Sequence, residues 1–113
     1  MDKRTESDIK SAILEALNVH PQTFAFLIQP AGIPIFEEKK FKGFRKSQSR
    51  DLPDIVGVKE GWMFAMEIKK PGEKATDKQL HKLRSISDAG GYAWVLDSVE
   101  DAIEALKEVG RGR

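Results

Sequence analysis

The stretch PDIVGVKEGWMFAMEIKK (residues 53–70) reads as two strands joined by a tight turn. PDIVGV (53–58) and WMFAMEIKK (62–70) are rich in strand formers, and KEG between them supplies the turn. Alternate residues of a strand share a face. On 62–69 one face carries Trp62, Phe64, Met66 and Ile68; the other carries Met63, Ala65, Glu67 and Lys69. Glu67 and Lys69 therefore share a face with apolar residues, where an unpaired charge costs several kcal/mol. With Glu60-Gly61 as a two-residue turn, Lys59 pairs with Trp62, and counting back places Asp54 opposite Glu67. Opposed Cβ atoms lie about 4.5–5.5 Å apart. Two carboxylates that close repel unless a proton or a cation sits between them. A divalent ion about 2.0–2.5 Å from each oxygen resolves the conflict. A one-residue change of register would turn Asp54 to the opposite face, so the inference depends on the turn. The competing reading is a surface ion cluster at a strand end.

Working outward, TESDIKSAILEALNVHP predicts an amphipathic helix with Ile9, Ala12, Ile13, Ala16 and Leu17 on one stripe, stopped by Pro21. Glu6 falls on that stripe in the first turn. It is either a helix-dipole residue in solvent or an acid reaching toward the carboxylate pair. TFAFLIQ (23–29) predicts a strand, which AGIPIF (31–36) extends at a sheet edge because of its proline. Residues 37–50 predict a loop with some extended character. After the PGEKA loop, TDKQLHKLRSISDAGG predicts a helix with a capping box from Thr76 to Gln79 and a glycine stop at Gly90-Gly91. Gln79 has two readings, capping partner or site residue. YAWVL (92–96) predicts a further strand, and SVEDAIEALKEVG a last helix capped at Ser98 and ended by Gly110. Strand 62–69, helix 76–89 and strand 92–96 make a right-handed βαβ unit. The expected architecture is α/β, one domain with helices flanking a small mixed sheet.

Charge is nearly balanced, with 19 Lys and Arg against 18 Asp and Glu and a net charge of +1. Its distribution is more informative. Lys39, Lys40, Lys42, Arg45, Lys46 and Arg50 form a basic segment without an acid. Such a segment suits an anionic partner such as nucleic acid, or is a solvated loop. The absence of cysteine excludes disulfides, Cys-ligated zinc and thiol catalysis, and fits a reducing compartment. No apolar run reaches the ~18–20 residues of a membrane span, and MDKRTESDIK holds no signal-peptide core. A cytoplasmic protein that does not engage a membrane is expected. His20 and His81 show no spacing for a metal pair, and Asp51 reads as a turn residue.

Pro53-Asp54, twelve residues, then Glu67-Ile68-Lys69, with an amphipathic helix upstream, resembles the core of the PD-(D/E)XK nuclease superfamily. Within it the chain resembles a small stand-alone VRR-NUC (virus-type replication-repair nuclease) domain of the phage type. The similarity rests on LPDIVGV, EIKKPGEKATDKQ and AGGYAWVL and runs from about Thr5 to Leu96. It implies a restriction-endonuclease-like fold over the single domain 1–113 and Mg²⁺- or Mn²⁺-dependent cleavage of phosphodiesters. In that reading Asp54 and Glu67 are ligands, the Ile68 carbonyl is a further ligand, and Lys69 stands beside the attacking water. The resemblance also implies a helix-one acid, placed on Glu6, and a site glutamine, placed on Gln79. It implies a homodimer in a bacterial host or phage-infected cell, acting on branched DNA such as a four-way (Holliday) junction. The basic segment would contact DNA. The alternative is a nuclease-fold module that binds nucleic acid without cutting it.

Overall fold

Thr5 opens the first helix, α1 (Glu6–Asn18), by accepting from Asp8 N at 3.0 Å while its own N–H donates to Asp8 Oδ2 at 3.0 Å. This reciprocal cap satisfies two N–H groups that a helix start leaves without intrahelical partners. Ile9, Ile13 and Leu17 are buried, as the apolar stripe predicts. The computed structural model describes residues 5–28, 33–45 and 51–111. After α1 come β1 (Thr23–Leu27), β2 (Ile33–Glu37), β3 (Lys40–Arg45), β4 (Ile55–Lys59), β5 (Trp62–Ile68), α2 (Asp77–Asp88), β6 (Tyr92–Leu96) and α3 (Val99–Glu108).

The main sheet has the order β1-β4-β5-β6. β4 runs antiparallel to β1 and to β5, whereas β5 and β6 are parallel and joined through α2. The turn between β4 and β5 is as expected: Glu60 and Gly61 both have positive φ (51° and 87°), so Lys59 pairs with Trp62 and Ile55 with Met66. Two left-handed residues match the twist of a hairpin, and glycine takes the second without strain. One face of the sheet packs under α1 and α3. Ala25, Ile55, Phe64, Met66, Ile68, Tyr92 and Leu96 there join Ile9, Ile13 and Leu17 of α1 and Ala102, Ala105 and Leu106 of α3 in one core. Glu67 has the opposite parity on β5 and faces α2. The chain is thus a mixed α/β protein with a small mixed sheet flanked by helices.

Two expectations need correction. Residues 33–36 do not lengthen the β1 edge, and 37–45 is not simply a loop; 31, 32 and 46–50 lie outside the described residues. β2 and β3 pair with each other as a separate two-stranded sheet, with Glu37 opposite Lys40 and a bulge at Lys42. The turn, Glu38-Lys39, has both residues at positive φ (49° and 67°). It contains neither the asparagine nor the glycine that normally marks such a turn, so its sequence carries no hairpin signal. Phe36 and Phe41 pack edge-on across this hairpin with ring centroids 6.0 Å apart. The β1 edge itself is occupied at its middle. Asn18 Nδ2 donates to the Ala25 carbonyl at 3.0 Å and Asn18 Oδ1 accepts from Ala25 N at 2.8 Å, so the side-chain amide occupies the place of a strand partner. No described helix is long and apolar enough to cross a membrane.

Candidate functional site

Pro53 is buried and Asp54 follows it just before the ladder of β4. Since Ile55 pairs with Met66, the next step of the register brings Asp54 against Glu67. Asp54 is anchored on both sides. Its carbonyl accepts from Ile28 N at 2.8 Å, and its Oδ2 accepts from Ile68 N at 2.7 Å. The carboxylate takes a bond from the neighbouring strand, which holds it at the strand ends.

Glu67 is 2 % exposed. Its Oε2 faces Gln79 Nε2 at 3.5 Å, the long limit of a hydrogen bond, and Lys69 Nζ at 3.8 Å. Its Oε1 is buried and has no hydrogen-bond partner. Burial, and then the adjacent Asp54 carboxyl acting through a hydrogen bond and through charge, push the Glu67 carboxyl up to about 8; Lys69 and Lys10 pull more weakly the other way. A proton shared between the two carboxyls relieves the repulsion expected from their register, as a cation in that position would.

Gln79 fills both roles read from the sequence. Its Oε1 accepts from Thr76 N at 2.9 Å and its N–H donates to Thr76 Oγ1 at 3.1 Å, completing the cap of α2. Its Nε2 remains directed at Glu67. The cap thus orients a site residue.

Glu6 does not reach the carboxylate pair directly. It pairs with Lys10 at 3.5 Å, and Lys10 Nζ lies 3.0 Å from Asp54 Oδ1. Burial disfavours the Lys10 ammonium, but the hydrogen bond and charge of Asp54, helped by Glu6, outweigh it and raise the Lys10 pKa. Lys10 is the site residue that sequence reasoning missed. A signal existed: it follows Glu6 by four residues, within one helical face of an acid already placed on the stripe.

The exposed Lys39, Lys40 and Lys42 do not join this cluster. Lys39 sits in the hairpin turn, Lys40 and Lys42 lie exposed on β3, and Arg45 ends that strand. Lys46 and Arg50 lie outside the described residues. The hairpin does spring from the site end of the sheet: the chain leaves β1 at Ile28, bonded to Asp54, and returns at Asp51. Asp51 is in a turn at φ 64°, as read from the sequence; His81 is exposed and His20 is partly exposed.

Among the described residues no group of three or more His, Cys, Asp or Glu side chains is arranged to hold a metal ion. Two opposed carboxylates, one with a buried oxygen lacking a partner, nevertheless fit a hard divalent ion. Mg²⁺ commonly keeps several waters and needs only one or two carboxylates from the protein. No protein-family model matches the chain, and no curated protein matches it significantly.

Proposed function

We propose that this protein is a metal-dependent DNA endonuclease with a PD-(D/E)XK core of the VRR-NUC type. The observation that supports this reading best is the buried Glu67, with one oxygen unpartnered, brought against Asp54 and Lys69 at the open ends of β4 and β5. Asp54 and Glu67 hold Mg²⁺ or Mn²⁺, with the Ile68 carbonyl as a third oxygen. Bound there, the ion supplies Lewis-acid stabilisation of the phosphate and a water of lowered pKa. Lys69, beside Glu67, would orient the attacking water and offset the charge that builds on the phosphate. Gln79 steadies Glu67 through Oε2, and Glu6 acts on Asp54 only through Lys10. The hairpin residues Lys39, Lys40, Lys42 and Arg45, with Lys46 and Arg50, contact the DNA backbone. Two copies act as a homodimer on branched DNA such as a four-way junction, in the cytoplasm of a bacterial or phage-infected cell.

One observation favours a second reading. An ammonium already seated on Asp54 suits a module that binds nucleic acid without cutting it. The deciding experiment incubates branched and linear DNA with the protein in Mg²⁺, Mn²⁺ or EDTA. Cleavage is expected with either metal and not in EDTA. Asp54→Asn, Glu67→Gln and Lys69→Ala should each lower the rate by at least about 100-fold. DNA binding without metal-dependent cleavage supports the second reading, and near wild-type turnover in any of the three variants removes that residue from the chemistry.

A further inference from the structure

Asp54 has its two oxygens committed differently. Oδ2 is held by a main-chain N–H of β5 at 2.7 Å, a fixed partner. Oδ1 is held by Lys10 Nζ at 3.0 Å, the tip of a flexible four-carbon stem. The same ammonium has a second seat 3.5 Å away on Glu6, one turn earlier on α1. Lys10 can leave Asp54 without stranding its charge, because Glu6 remains within reach. The neighbouring Glu67 Oε1 is buried and takes no hydrogen bond from an N–H or an ammonium. The pair thus presents one oxygen held by a movable cation and one that no cation holds.

We propose that Lys10 is a built-in competitor for the metal: its ammonium covers Asp54 Oδ1 in the metal-free protein, yields that oxygen to the arriving divalent ion, and moves back onto Glu6. The inference rests on the reading of Asp54 and Glu67 as metal ligands. Lys10 is a positioning residue here, acting on the metal through Asp54. The arrangement has two consequences. The metal-free site keeps its acidic ends neutralised, and metal affinity is lower than the carboxylates alone would give, because each binding event must displace an ion pair. Glu6 then matters as the place that receives the displaced charge.

The test is calorimetric titration of Mn²⁺ into the full chain without DNA, at fixed pH and salt. The variants are Lys10→Met, Lys10→Arg, Asp54→Asn and Lys107→Met. The last removes an equal charge from the exposed Lys107–Glu104 pair on α3. Lys10→Met should bind Mn²⁺ about tenfold more tightly than wild type, equivalent to about 1.4 kcal/mol. Lys10→Arg, which keeps the cation, and Lys107→Met should stay within about twofold of wild type. Far-ultraviolet circular dichroism checks that each variant is folded, and Lys10→Gln substitutes if the methionine variant is not. Unchanged or weaker binding in the neutral Lys10 variant overturns the competitor role while leaving the metal site standing, provided that Asp54→Asn loses binding. Equal binding by Asp54→Asn and wild type, or no binding by wild type, overturns the metal site itself and the competitor with it.

Discussion

Glu67 carries the site's electrostatic tension. Its carboxyl is held up to about 8 in the folded chain by burial and by Asp54, against 4.5 as its ordinary value. Between those values the folded state binds a proton that the unfolded state has released. Stability therefore falls as pH rises through that window, and the dependence disappears below it, where both states are protonated. In EDTA the melting temperature of wild type should drop between about pH 5 and about pH 8.5, and Glu67→Gln, neutral at every pH, should flatten this part of the profile. Identical profiles for the two proteins would show that Glu67 is already ionised in the fold. A bound divalent ion takes the place of the proton, so Mn²⁺ should stabilise wild type more as pH rises through the same range. At about one hundred times its dissociation constant, the ion should add roughly 2.7 kcal/mol to wild type and nothing to Asp54→Asn.

The β4–turn–β5 hairpin converts a local turn into a pairing of two carboxyls. Its register is held by Glu60-Gly61 at one end and by close packing in the middle. Gly57 lies opposite Phe64, whose ring covers it: a Cβ at Gly57 would fall 2.5 Å from Phe64 Cζ and 2.7 Å from the Phe24 carbonyl oxygen of β1. The second contact is with backbone, which cannot rotate away. Gly57→Ala should cost about 1–3 kcal/mol through this overpacking, read as a lower urea midpoint with an unchanged slope. A midpoint equal to that of wild type would mean that the ring and the β1 backbone give way freely. The same element logic explains α2, whose capping glutamine is aimed at Glu67 because its other side-chain atom is fixed by Thr76.

At the scale of the molecule, the helices cover the sheet unevenly. Phe24, Phe26 and Val58 lie on the face away from α1 and α3 and remain exposed, Phe24 to 65 %. Phe36 and Phe41 of the hairpin are exposed too, Phe36 to 62 %. Aromatic patches of this kind mark association surfaces. Asn18 occupies the middle of the β1 edge, so the proposed homodimer is expected to use the aromatic face rather than a strand added there. Sedimentation velocity at micromolar concentration should show a dimer for wild type and a monomer for Phe24→Glu with Phe26→Glu. Circular dichroism should be unchanged, because neither ring is in the core. A dimer that survives both substitutions would move the interface to the hairpin.

Sequence by itself determined the features set within a few residues. The apolar stripe of α1, the caps at Thr76 and Ser98 and the glycine stops delimit helices because propensity and capping act locally. Glu60-Gly61 imposes a two-residue turn, and period-two alternation then carries the register back to Asp54 and Glu67. That is why the carboxylate pair was legible before the fold. The tertiary structure alone decided what depends on packing between distant segments. It brought Lys10 onto Asp54, because α1 packs against the sheet, and it separated the β2–β3 hairpin from the main sheet. It also buried Glu67 beneath α2 with one oxygen unpartnered. Each of these is a contact between groups remote in the chain, and no local pattern encodes the distance at which such groups meet.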